Sequence, residues 1–83
     1  MKLVLKLVLK LLLYGRSYCH LCDDMAQALR ARGVAFDQVD VDADAALEAR
    51  WGILVPVLAD AQGREICHYH LDLAALERAL GVK

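Results

Sequence analysis

The sequence predicts an α/β fold: one mixed four-stranded sheet with three helices, in the order β-α-β-α-β-β-α. Short apolar runs alternate with stretches whose apolar residues recur every three to four positions. The first two strands flank a helix, so they should run parallel. The last two are joined by the turn sequence DAQG, so they should form an antiparallel hairpin. A single sheet with helices on its faces buries the apolar stripes of all three helices.

The first strand is placed at about residues 8–14, where LLLYG is a buried-strand pattern ending in a turn glycine. The preceding KLVLKLVLK fits two periods, a strand with leucines on one face or a helix with its lysines in a stripe. Residues 1–7 are therefore read as an extension, with the domain running over 8–83. A helix follows at about 20–32, where Leu21, Met25 and Leu29 recur with Ala26 beside them. Ser17, Tyr18 or Cys19 marks its start. Asp23 and Asp24 in the first turn and Arg30 and Arg32 in the last suit the helix dipole, and Gly33 is a stop. VAFDQVDVD alternates apolar and polar residues and reads as a strand ending near Asp40. Asp42 or Asp44 caps a short helix through AALEARW, closed by Gly52, with Trp51 packed on Leu47. Pro56 lies inside the apolar run ILVPVLAD and should mark a strand start, an edge or a special turn. REICHYH is the partner strand, with Cys67 and Tyr69 on one face and His68 and His70 on the other. Asp72 caps a last helix, with Leu73, Leu76 and Leu80 on one face and Gly81 as its stop.

The totals fit this plan. At 83 residues the chain is one domain, and such a domain buries only about 60% of its unfolded surface. Apolar residues make up 59% of it, so core material is plentiful. With 10 basic and 11 acidic residues, nothing in the charge balance favours nucleic acid. The N-terminal MKLVLKLVLKLLL resembles a secretory signal in outline, but Lys6 and Lys10 interrupt its apolar core and no small-residue cleavage site follows. Its apolar run is far short of the roughly 20 residues of a spanning helix. The expectation is a soluble, cytoplasmic protein without a membrane partner. Three cysteines are an odd number, which fits a reducing compartment better than a disulfide-held secreted chain.

The chemistry centres on YCHLC, residues 18–22. Cys19 stands just before or at a helix start. Unpaired backbone N–H groups and the positive dipole end there favour a thiolate over a thiol. Cys22 falls about 60° around the helix from Cys19, toward Met25, Ala26 and Leu29, and should be the more buried thiol. That asymmetry assigns Cys19 as the nucleophile on a substrate disulfide and Cys22 as the resolving thiol. A protonated His20 would support the Cys19 thiolate, whereas Asp23 and Asp24 act in the opposite sense. All three can equally be solvated first-turn residues.

The strand, the Cys-x-x-Cys at a helix start and the Val-Pro ahead of a hairpin resemble the thioredoxin superfamily over nearly all of the chain from about residue 8. LYGRSYCHLCDDM and WGILVPVL are most similar to small bacterial glutaredoxin-like proteins. The resemblance implies a thioredoxin-like fold and a dithiol thiol-disulfide oxidoreductase. It implies that Pro56 is a cis proline beside the cysteine pair, with the Val55 backbone facing substrate. It further implies that Arg16 lies near a glutathione carboxylate and that Tyr14 and Gly15 shape the loop to it, with Tyr18 and His20 also at the substrate site. The implied partners are a disulfide-bearing protein or a glutathione mixed disulfide, glutathione as cosubstrate, and a reductase as electron donor, with the protein acting as a monomer. The sequence departs from glutaredoxins in having Leu54 before Val-Pro and His20-Leu21 between the cysteines. ICHYHLD has no Gly-Gly after the hairpin, although Asp72 can stand in for the acid that follows it.

Non-catalytic readings stand beside this one. Cys19, Cys22, Cys67 and His70 have the local spacings of a zinc site. Against it, Cys67 and His70 would point to opposite faces of a strand. A bridging iron–sulfur cluster, which uses glutathione as co-ligand in some glutaredoxins, is a second possibility. A module that docks a protein partner near Pro56, with idle cysteines, is a third. Cys67 itself reads as a small buried apolar residue.

Overall fold

The computed structural model describes residues 10–81. The elements follow the expected order: β1 (Leu11–Gly15), α1 (His20–Ala31), β2 (Phe36–Asp40), a 3-10 turn (Val41–Ala43), α2 (Ala45–Trp51), β3 (Val57–Ala59), β4 (Glu65–His68) and α3 (Leu73–Leu80). Residues 1–7, expected as an extension, lie outside the described residues. None of the described helices is long and apolar enough to cross a membrane.

The four strands form one sheet in the order β2-β1-β3-β4. β1 pairs parallel with β2, from Leu11 opposite Phe36 to Gly15 opposite Asp40. It pairs antiparallel with β3, Leu13 facing Leu58 and Tyr14 facing Val57. β3 and β4 form the antiparallel hairpin, with a register shift between Leu58 and Ala59. Asp60 closes that hairpin: its carboxylate accepts from the N–H groups of Gln62 and Arg64 and from Arg64 Nε.

Alternation along β1 divides the core in two. Leu11 and Leu13 face α1 and α3 and pack with Met25, Ala26, Leu29, Leu58, Cys67 and Leu76. Tyr14 faces the other way and packs with Val41, Trp51, Val57 and Ala59, with Leu47 at the margin. Tyr14 and Trp51 stack at 5.6 Å between centroids. Most helix boundaries follow from their caps. Asp44, and not Asp42, caps α2, because its Oδ1 accepts from Ala46 N at 2.9 Å and Leu47 N at 3.3 Å. Asp42 belongs instead to the 3-10 turn, which Asp40 caps. Asp72 Oδ1 accepts from Ala75 N and starts α3, and Gly81 ends it in the left-handed region.

Three expected burial positions differ. Leu21 is exposed, because the buried stripe of α1 is centred on Cys22, Met25, Ala26 and Leu29, which leaves Leu21 at its edge. Leu73 opens α3 and is also exposed, so Leu76 alone carries the fully buried contact of that helix. Tyr69 does not share a strand face with Cys67. β4 ends at His68, and Tyr69 turns into the left-handed region at φ 64°.

Candidate functional site

Cys19 is the N-cap of α1. Its backbone is extended, its carbonyl accepts the first helical bond from Asp23 N, and its Sγ accepts from the Cys22 N–H at 3.1 Å. Of the three boundary candidates, Cys19 therefore fills the role in which a side-chain acceptor meets an unpaired helical N–H. Tyr18 reaches this cap through a left-handed backbone, φ 60°, with its side chain fully exposed.

Cys19 and Cys22 form a disulfide, with Cα atoms 5.2 Å apart. The two sulfurs differ in access. Cys22 is 6% exposed, whereas Cys19 is only half-buried. Gly15, at the end of β1, makes room for Cys22: a Cβ there would lie 3.1 Å from Cys22 Sγ and 3.3 Å from its Cβ. A cleft of about 280 Å³ opens beside this contact, walled by Gly15, Arg16, Ser17, Cys22, Asp23 and Asp40. His20 and Asp23 are exposed in the first turn of α1, and Asp24, expected in that turn as well, is exposed at the start of the second, because the helix begins at His20.

The Val55–Pro56 bond is cis, with Pro56 buried and Val55 half-buried. Arg16 is tied into the segment leading there. Its guanidinium donates to Gly52 O at 3.1 Å and pairs with Glu48 at 3.3 Å and Asp42 at 3.5 Å. Its Nε is buried and unpartnered among the described residues. The charge that the resemblance placed near a substrate carboxylate is thus already met by two carboxylates of the chain itself.

The possible zinc ligands are not brought together. Cys67 is a buried free cysteine in β4, where burial pushes its thiol pKa up, while His70 is exposed beyond the strand end. Among the described residues, no group of three or more His, Cys, Asp or Glu side chains is placed to hold a metal ion. Tyr69 is the residue that sequence reasoning missed. Its Oη donates to Ile53 O at 3.1 Å and its N–H to Pro56 O at 2.9 Å. No local sequence signal announces it, because a bulky residue is not expected at positive φ.

A mixed sheet with this connectivity and a Cys-x-x-Cys at the start of α1 defines a thioredoxin-like protein. Residues 10–81 match the family model of the glutaredoxin-like domain DUF836, and the chain belongs to that family. It is similar to the X-ray structure of the structural-genomics target XcR50 from X. campestris, at 47% identity over 86% of this chain and 95% of that one, with a TM-score of 0.70. The solution structure of Ne2328 from Nitrosomonas europaea is 31% identical over 98% of this chain and 95% of that one, with a TM-score of 0.75. The thioredoxin-like protein BC3987, at 20% identity, 88% and 96% coverage and a TM-score of 0.64, shares the fold. No curated protein matches the chain. A glutaredoxin-like domain with a Cys-x-x-Cys pair supports a redox-type function.

Proposed function

We propose that the chain is a dithiol thiol-disulfide oxidoreductase that reduces or exchanges disulfides or mixed disulfides. The observation that carries this reading is the pairing of a more exposed Cys19 at a helix N-cap with a buried Cys22 one turn on, closed as a disulfide. In the reduced protein, the helix N-terminus stabilises a Cys19 thiolate. That thiolate attacks one sulfur of a substrate disulfide. A Cys19–substrate bond forms as the substrate S–S bond breaks, and the departing sulfur leaves as a thiolate that takes a proton from solvent. Cys22 then gives up its proton, attacks Cys19 Sγ and expels the second substrate thiolate. The substrate has gained two electrons, and the Cys19–Cys22 pair has lost two.

A reductase or a dithiol donor returns those electrons in a reducing compartment such as the cytoplasm. The protein acts as a monomer in this scheme. Its substrate is a disulfide-bearing protein or a glutathione mixed disulfide, with glutathione as an alternative cosubstrate. The family resemblance supports a substrate main chain running along Val55 beside cis-Pro56. The test is turnover of insulin disulfides with dithiothreitol as donor. The wild-type protein should accelerate reduction well above background, and Cys19→Ser should abolish the gain. Equal rates for the two proteins would end the proposal.

A further inference from the structure

We infer that the cysteine pair selects positively charged disulfides, with sulfurs flanked by basic residues of a polypeptide, over the anionic disulfide of glutathione. The inference rests on the dithiol reading above and names the substrate class of that site.

The described charges are sorted along the sheet. Gly15, where a Cβ would lie 3.1 Å from Cys22 Sγ, marks the cysteine end of β1. Asp40 stands opposite Gly15 in the β1–β2 ladder. Asp23 follows Cys22 directly, and its N–H donates to Cys19 O at 3.1 Å. Both aspartates wall the cleft of about 280 Å³ that opens on Cys22. Asp24 is exposed next along α1. Asp42 and Glu48 stand on Arg16 at 3.5 Å and 3.3 Å, and the same guanidinium donates to Gly52 O. The charge of Arg16 is therefore offset before any ligand arrives. Five carboxylates face one guanidinium at this end.

The other described cations lie toward the opposite end. Lys10 pairs with Asp37, ahead of the start of β1. Arg30 lies over Phe36, which opens β2 opposite Leu11. Arg32 closes α1, about 20 Å along the helix from Cys19. Arg50 donates to Gly63 O and Arg64 to Asp60, both in the hairpin turn beyond Ala59. Arg78 lies in the last turn of α3. The disulfide thus sits at the negative pole of a chain that is nearly neutral overall. A cleft lined by one sign of charge focuses its field and raises the local concentration of the opposite sign. The site is the disulfide itself, and the carboxylates decide which disulfides reach it. Glutathione disulfide carries more carboxylates than ammonium groups and is repelled. A disulfide flanked by lysine or arginine is drawn in.

The test uses pre-reduced full-length protein and disulfide-linked dimers of two end-blocked peptides, Ala-Lys-Cys-Lys-Ala and Ala-Glu-Cys-Glu-Ala. The ratio of their rate constants is divided by the ratio that dithiothreitol gives in the same buffer, which removes their intrinsic difference. At about 0.01 M ionic strength, where screening acts over about 30 Å, the lysine peptide should be favoured about tenfold. At about 1 M the preference should shrink to near unity. Asp23→Asn with Asp40→Asn keeps side-chain acceptors and should cut the low-salt preference about threefold. Losing those charges also favours the Cys19 thiolate, but that changes both rates alike and leaves the ratio untouched. A preference that salt does not change, or one for the glutamate peptide, overturns the inference. So does oxidised glutathione outpacing the lysine peptide, or a double variant with the wild-type preference. If the double variant does not fold, the salt series on wild-type protein still decides. Failure of the underlying reading looks different: wild-type protein would then reduce neither peptide faster than Cys19→Ser does.

Discussion

Replacing Gly15 with alanine should make the Cys19–Cys22 disulfide easier to reduce. Gly15 does not lie in the left-handed region, so alanine is compatible with its backbone. The obstacle is Cys22. The new methyl would lie 3.1 Å from Cys22 Sγ and 3.3 Å from Cys22 Cβ, against an ordinary contact of about 3.5–4.0 Å. Something must move by about half an ångström, and overpacking of this kind costs about 1–3 kcal/mol. In the disulfide form Cys22 Sγ is tethered to Cys19 and cannot rotate away. Reduction frees its χ1, so most of the cost falls on the oxidised protein. At about 30 mV per 1.4 kcal/mol for a two-electron couple, the midpoint should rise by about 20–60 mV. Equilibration in dithiothreitol redox buffers, acid quenching, alkylation and mass analysis measures it. A midpoint unchanged within 10 mV, or a more negative one, would refute the differential-crowding argument. So would equal losses of thermal stability in the oxidised and reduced forms.

Three further outcomes follow from the same geometry. In reduced protein, absorbance at 240 nm should show Cys19 substantially ionised at pH 7, because its sulfur meets the Cys22 N–H at the positive end of α1; a thiol that ionises only in the range of ordinary cysteine would contradict this. Leu29→Ala empties a site with no solvent exposure in the α1 face of the core and should cost about 3–4 kcal/mol in urea denaturation; a loss below 1 kcal/mol would mean that the helix repacks. The Arg64 N–H, followed by the Arg64 side chain and the Gln62 N–H, holds the Asp60 carboxyl below its ordinary range. A depressed carboxyl stabilises the fold above its unfolded-state pKa, and that contribution disappears as pH falls through the lower folded value. The stability gap between wild type and Asp60→Asn should therefore be widest near neutrality and narrow as acid carries the pH below the ordinary aspartate range and through the depressed folded value; a gap that persists undiminished in strong acid would show that the turn does not depend on the charge.

Local chemistry made much of the fold legible. The apolar alternation in β1, the aspartate caps at Asp44 and Asp72 and the glycine stops at Gly33 and Gly81 each act within a few residues, so their signals lie in the sequence itself. Pro56 likewise stands just before β3, where a residue without an N–H is tolerated. The cysteine asymmetry was readable too, because helical spacing turns Cys22 toward Met25 and Leu29. Long-range choices were not. Ser17, Tyr18 and Cys19 all carry atoms able to mark a helix start, and tertiary placement decided for Cys19. Arg16 meets Glu48 across 32 residues of sequence, and no periodicity announces such a pairing. The left-handed turn at Tyr69 also has no local signature, since tyrosine is among the residues least expected there. Leu21 and Leu73 look apolar and periodic but lie at the edges of their stripes, where the neighbouring elements leave them uncovered.

The division of labour between the two sulfurs is tested most directly by trapping. Reduced Cys22→Ser protein, mixed with a disulfide-bearing polypeptide, should accumulate a covalent adduct whose mass and peptide map place the new bond at Cys19. Reduced Cys19→Ser should accumulate none on the same timescale. An adduct on Cys22 or Cys67, or equal trapping by both variants, would contradict the assignment.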